Sequence, residues 1–180
     1  MSPQYDHITN KVAIGLTCAA LAACETTTDD PEFANIAPWN IIPKSSPSKI
    51  SEAFVEICLA RTLNEKQQAL RRADYIATRD TGRGVSTYVA DTRRPAIMLH
   101  GETGCAVAAQ AQAGQTNRFI DLVADTFPKA RRVAPASIGP RVEHAWITNE
   151  GDVIWLERHG PKVAPPRVIF AINRPRKSAV

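Results

Sequence analysis

Aromatic residues are scarce: three Trp, three Tyr and five Phe make up 6% of the 180 residues. A core built from this chain must therefore lean on Ala, Val, Ile and Leu. Histidine is equally sparse. His7, His100, His144 and His159 stand singly, with no pair at ligand spacing, so no metal site is expected. No Gly-x-Ser-x-Gly run is present, which removes the usual serine-nucleophile turn. Gly82-Arg83-Gly84 is too short for a phosphate loop, and Gly101-Glu102-Thr103-Gly104 lacks the Lys and the spacing of one. Asp121 and Asp125 share a helix face, as solvated pairs often do. No cofactor is expected. Long hydrophobic runs are missing too. Residues 12–23, VAIGLTCAALAA, carry no charge, yet a membrane-spanning helix needs about 20 apolar residues.

What is present is ordinary for a globular domain: 44% apolar and 22% charged residues. The formal charge of +4 is unevenly placed. Residues 129–180 hold ten Lys or Arg against four Asp or Glu, whereas residues 25–128 hold eleven against thirteen. The last third is therefore basic, either as a solvated sheet face or as a surface that meets anions.

The run at 12–23 has the length of the apolar middle of a secretory signal. It closes in Leu21-Ala22-Ala23-Cys24. This stretch resembles the lipobox of bacterial lipoproteins: an aliphatic residue, two small residues, then the cysteine that is modified. The resemblance covers the first 24 residues. It implies cleavage before Cys24 and lipid attachment at that residue. Several acyl chains hold a protein where one gives only reversible binding. Before the run, MSPQYDHITNK is longer and less basic than such leaders usually are. After it, a polar, Pro-rich stretch at 25–45 reads as a spacer, with an apolar patch at Ile36-Ala37-Pro38-Trp39-Asn40-Ile41-Ile42. Glu25 follows the cysteine, which in enteric bacteria favours the outer membrane over the inner.

The cysteines fit export. With residues 1–23 removed and Cys24 lipidated, Cys58 and Cys105 remain of the four. An even remainder in an oxidising compartment favours a Cys58–Cys105 disulfide.

Residues 46–176 are expected to form one α+β domain, followed by a basic tail at 177–180. Ser46-Pro47 reads as a helix cap with Pro in the first turn. Ile50, Ala53, Phe54, Ile57 and Cys58 then fall on one helical stripe. Asn64 with Gln67 reads as a second cap, and the helical region is expected to bend near Leu63 and continue to about Ala77. A hairpin follows, with 96–100 and 105–109 flanking the Gly101–Gly104 turn. Thr116 is expected to cap a short helix through Phe127. The last third reads as strands at 142–148, 153–156 and 167–173, the last apolar enough to be buried on both faces. The order predicts a helical region, then a mainly antiparallel sheet with one further short helix.

One constellation points to chemistry. Cys105 precedes His144 and His159, and His144 opens an alternating segment. This loosely resembles the histidine hairpin of cell-wall cysteine peptidases. That family would make Cys105 a thiolate nucleophile with an imidazole beside it. The family's cysteine sits at a helix start, however, and Gly104-Cys105-Ala106-Val107 reads as a strand. Trp146, Trp155 and Arg158, on the final hairpin, form a possible interaction surface. The preferred reading is a membrane-anchored envelope lipoprotein with a non-catalytic binding or structural role. Its partner would be another envelope protein or an anionic envelope polymer. A wall-acting cysteine hydrolase using Cys105 with His144 and His159 is the alternative. A basic nucleic-acid-binding protein is a second alternative, and nucleic acid is the less expected partner outside the cytoplasm.

Overall fold

A computed structural model describes residues 43–78, 84–160 and 166–175. The expected signal at 1–23, Cys24, most of the spacer and the tail at 177–180 lie outside the described residues. The packed region begins at Pro43 rather than Ser46: Pro43 and Ser45 are buried, and Gln110 N donates to Pro43 O at 3.0 Å.

Helix α1, Pro47–Ala53, starts as its sequence dictates, with Ser46 Oγ accepting from Lys49 N at 3.3 Å and Pro47 in the first turn. It runs on as a π-helical turn, Phe54–Cys58. The stripe of Ile50, Ala53, Phe54, Ile57 and Cys58 is buried throughout. Helix α2 spans Leu63–Arg72. Its cap is Thr62, not Asn64. Thr62 Oγ1 accepts from Glu65 N at 3.2 Å, and Glu65 Oε2 accepts from Thr62 N at 2.9 Å. The same Thr-x-x-Glu spacing stands two residues before the expected pair, which puts Asn64 inside the first turn. α2 also stops short of Ala77. Asp74 takes φ 52°, Tyr75 N donates to Leu70 O at 2.9 Å, and Asp74 N donates to Arg71 O at 3.1 Å. That is a Schellman stop with Asp where Gly is customary. Ile76–Ala77 is then a short strand, β1.

The remaining strands are β2 (Val85–Val89), β3 (Ala96–His100), β4 (Gly104–Gln110), β5 (Arg131–Val133), β6 (Val142–Ile147), β7 (Val153–His159) and β8 (Arg167–Asn173). Helix α3, Gln115–Thr126, lies between β4 and β5. Gly114 at φ 81° precedes it, and Thr116 is not its cap. The buried Gln115 instead folds back, accepting from Gln112 N at 2.7 Å and donating to Gln110 O at 2.9 Å.

The strands form one eight-stranded sheet in the order β1-β2-β3-β4-β8-β7-β6-β5, antiparallel at every pairing. The fold is therefore α+β. Helix followed by a four-stranded meander occurs twice, and the last strands of the two meanders, β4 and β8, pair at the centre. No repeat at the level of sequence announces this.

The helices meet one face of the sheet. Phe119 packs edge-on to Phe54 (5.5 Å) and to Trp146 (5.9 Å), and stacks on Phe170 at 4.1 Å. With few aromatics available, four of them gather at this one point, and aliphatic side chains fill the rest. Cys58, ending the π turn, is bonded to Cys105 at the second position of β4, with Cα atoms 5.3 Å apart. The disulfide fixes the helical layer to the centre of the sheet.

Candidate functional site

A strand buries alternate side chains on opposite faces, so the register assigns each residue to a face. Leu99, Cys105, Phe170, Ile154 and their in-phase neighbours point toward the helices. The next row points away: Met98 pairs with Ala106, Ala106 with Ala171, and Ala171 with Trp155. Parallel to it run Ala108–Ile169–Glu157 and His100–Gly104–Asn173–Val153. β8 is central, as expected, but it is sandwiched on one side alone. Val168, Phe170 and Ile172 are fully buried under the helices, while Ile169 on the other face stays part-exposed.

That other face holds a groove of about 730 Å³. Its floor is made of small residues, Gly104, Ala106 and Ala171, and its walls of Met98, Ile169, Trp155 and Ile138. The floor is low because the central strands carry Ala where a core would place Leu or Phe. Gly104 is also required by close approach: a Cβ there would sit 2.9 Å from His100 Cβ. Ile138 follows a 3-10 turn, Pro135–Ser137, which stands beside the sheet. A smaller hollow of about 330 Å³ adjoins, sharing Ile138, Trp155 and Glu157. The rim is polar. His100 and Asn173 mark one end. At the other, His159 Nε2 lies 2.7 Å from Glu157 Oε1, and Arg141 Nη1 donates to His159 Nδ1 at 3.3 Å. An apolar groove with a few convergent polar groups is the usual form of a binding site.

Of the expected surface Trp146, Trp155 and Arg158, Trp155 alone lines this groove. Trp146 pairs with Ile154, one residue before Trp155, and so faces the helices, buried and with Arg132 over its ring at 5.8 Å. Arg158 also takes the helix side. Its Nη2 donates to Thr116 Oγ1 at 2.8 Å, and its Nε lies 3.2 Å from Glu143 Oε1. Trp146, Trp155 and Arg158 therefore do not form one surface.

Cys105, His144 and His159 are likewise not brought together. Strands β8 and β7 separate β4 from β6, so Cys105 and His144 are about 14 Å apart at about 4.8 Å per strand. His159 pairs with Arg167 at the far end of β7, while Cys105 pairs with Ile172. The sulfur of Cys105 is moreover bonded to Cys58 and buried. The thiolate nucleophile of the peptidase resemblance is absent from this arrangement.

Two cations, the part-buried Arg174 and the buried Lys66, serve the fold. Arg174 donates to the carbonyls of Cys58 (3.2 Å), Leu59 (3.1 Å) and Ala60 (2.7 Å), and its Nε donates to Asp152 Oδ2 at 3.2 Å. It thereby satisfies the open end of the π turn. Lys66 Nζ donates to Glu102 O at 2.9 Å. Burial, and then the nearby Arg174 guanidinium, push its ammonium pKa down. A hollow of about 260 Å³ beside Arg174 is lined by Arg61, Lys129, Glu150 and Asp152, charges of both signs. Among the described residues, no three His, Cys, Asp or Glu side chains gather as a metal site.

The groove was missed in the sequence because Met98 and Ile169 sit in runs that read as apolar throughout. The alternation of Ala106, Ala108 and Ala171 with larger neighbours is the signal that marks it. No protein-family model, curated protein or solved structure matches this chain.

Proposed function

We propose that this is an exported, lipid-anchored envelope protein that binds a partner through the open face of its sheet and catalyses nothing. The observation that carries the binding role is the groove itself. It joins apolar walls, a part-exposed Trp155 and a floor of small residues on a face that none of the described helices covers. Large exposed apolar surface on a folded domain marks interaction sites. Export and anchoring rest on Leu21-Ala22-Ala23-Cys24 at the end of an apolar run of signal length. The bonded Cys58–Cys105 pair fits the same reading, since disulfides persist in oxidising compartments.

The test is photo-crosslinking in intact cells. A photoreactive phenylalanine replaces Trp155 on the groove or, as control, Val55 on the exposed side of the π turn. An intermolecular adduct from position 155 alone is the expected result. Adducts from neither position, with the protein folded in its membrane, would overturn the binding role.

A further inference from the structure

The hollow of about 260 Å³ beside Arg174 shares no lining residue with the groove. Turns tied by their own hydrogen bonds bring its charged residues together. Pro128 and Lys129 form the tip of a turn closed by Ala130 N, which donates to Phe127 O at 2.8 Å. Glu150 stands in the β6–β7 turn, which Thr148 closes at three points. Thr148 N donates to Asp152 O at 2.9 Å, Gly151 N to Thr148 O at 3.0 Å, and Asp152 N to Thr148 Oγ1 at 3.1 Å. Arg61 is held by its own amide, which donates to Glu65 Oε2 at 2.9 Å. Backbone fixed in advance lowers the ordering cost of binding.

The polar groups that the fold leaves unused define the chemistry. The Arg174 guanidinium donates to three carbonyls and to Asp152 Oδ2. Among the described residues, its last Nη2 hydrogen and Asp152 Oδ1 have no partner. Lys129 has no ion-pair partner among the described residues either. Arg61 Nη2 lies 3.4 Å from Glu150 Oε1, yet those side chains are 73% and 55% exposed. An exposed pair of that kind contributes little and exchanges readily for the charges of a ligand. Leu59, Phe127 and Pro128 supply an apolar wall. A ligand with one charge would take one partner of the Arg61–Glu150 pair and strand the other. A zwitterion gives each a new partner and leaves the net charge of the pocket unchanged. The volume lies below the roughly 300–1,000 Å³ of pockets for drug-sized ligands, which sets the occupant at amino-acid size.

We propose that this pocket binds a free amino acid with an apolar side chain. The carboxylate of the ligand sits between Lys129 and Arg61. Its ammonium donates to Asp152 Oδ1 and to Glu150. Its side chain lies on Phe127, Leu59 and Pro128. Arg174 acts as a positioning residue, holding Asp152 through Nε. The site is separate from the open sheet face, so either binding role can fail alone.

The test is titration of the full chain, disulfide intact, with leucine, valine and phenylalanine as probes. Binding is read by calorimetry and by backbone amide shifts in NMR. Two molecules with the leucine side chain serve as comparisons: isocaproate, which lacks the ammonium, and isoamylamine, which lacks the carboxylate. The expected result is saturable binding of leucine or another of the three probes, with amide shifts at residues 127–130 and 148–152. Both comparison molecules should bind about tenfold more weakly than leucine or worse, since each leaves a charged group of the pocket without its partner. Lys129→Gln and Glu150→Gln alter exposed side chains, so each should keep the melting temperature and weaken binding by about tenfold. Isocaproate binding as tightly as leucine would make the pocket a plain anion site and overturn the proposal. So would no amide shifts at these residues with any probe at millimolar concentration, or shifts confined to the groove. None of these outcomes touches the binding role of the open face, which the crosslink at position 155 tests by itself.

Discussion

Arg174 is bonded to three carbonyls and to the Asp152 carboxylate. Removing it leaves Asp152, a nearly buried acid, without its ion-pair partner. Arg174→Ala is expected to cost about 3–5 kcal/mol of folding stability in urea titration. Arg174→Lys should recover only part, since one ammonium cannot span that fork. The two tryptophans make a sharper contrast. Trp146→Ala opens the aromatic centre and should cost about 3–5 kcal/mol. Trp155→Ala, on the open face, should cost about 1 kcal/mol. Tyr75 predicts a pH dependence. Its hydroxyl donates to Pro95 O at 2.9 Å, and burial pushes its pKa up to about 12 from the ordinary 10.0. The raised pKa means the folded state favours the protonated phenol. That stabilisation is whole below pH 10 and is lost as pH climbs from 10 toward about 12. Alkaline titration followed by circular dichroism should show this loss, and Tyr75→Phe should remove that component of it.

At the level of elements, the sequence was legible where side-chain period and cap chemistry agreed. The α1 stripe, the β3–β4 and β6–β7 hairpins and β8 stand within a few residues of expectation. The misplacements have local causes. Two overlapping cap patterns, Thr62–Glu65 and Asn64–Gln67, competed, and the acid that can accept two backbone amides won. Thr62→Ala should therefore lower stability by about 1 kcal/mol. Hydrogen bonds from Thr62 hold the Glu65 carboxyl below its ordinary range. Its contribution is present above that range and fades as pH falls through it, so the defect of Glu65→Ala measured by thermal melts should shrink in acid. Asp74 ended α2 without the customary glycine, which no periodicity rule anticipates. The candidate site was the least legible feature. Which face of β7 and β8 the helices cover depends on the whole topology, so Trp146 and Trp155 could not be told apart from their sequence positions.

Among the described residues, the paired meanders put one face of the sheet under helices and leave the other without one, and the disulfide holds the first arrangement in place. Cys58 and Cys105 are 47 residues apart. Closing a loop of that length contributes about 4 kcal/mol in the chain-entropy model. Reduction, or Cys58→Ala with Cys105→Ala, should therefore shift the urea midpoint down by the equivalent of about 4 kcal/mol. Both sulfurs are buried, so reduction should be slow unless the chain is first unfolded.

The central claim, an exported and lipid-anchored protein with its cysteines consumed by anchor and disulfide, meets its most direct test in intact mass. The protein is taken from native membranes and alkylated with and without prior reduction. The account predicts loss of residues 1–23, a gain of acyl mass at Cys24, and two alkylations at Cys58 and Cys105 after reduction and unfolding only. An unprocessed chain whose thiols alkylate without reduction would contradict it.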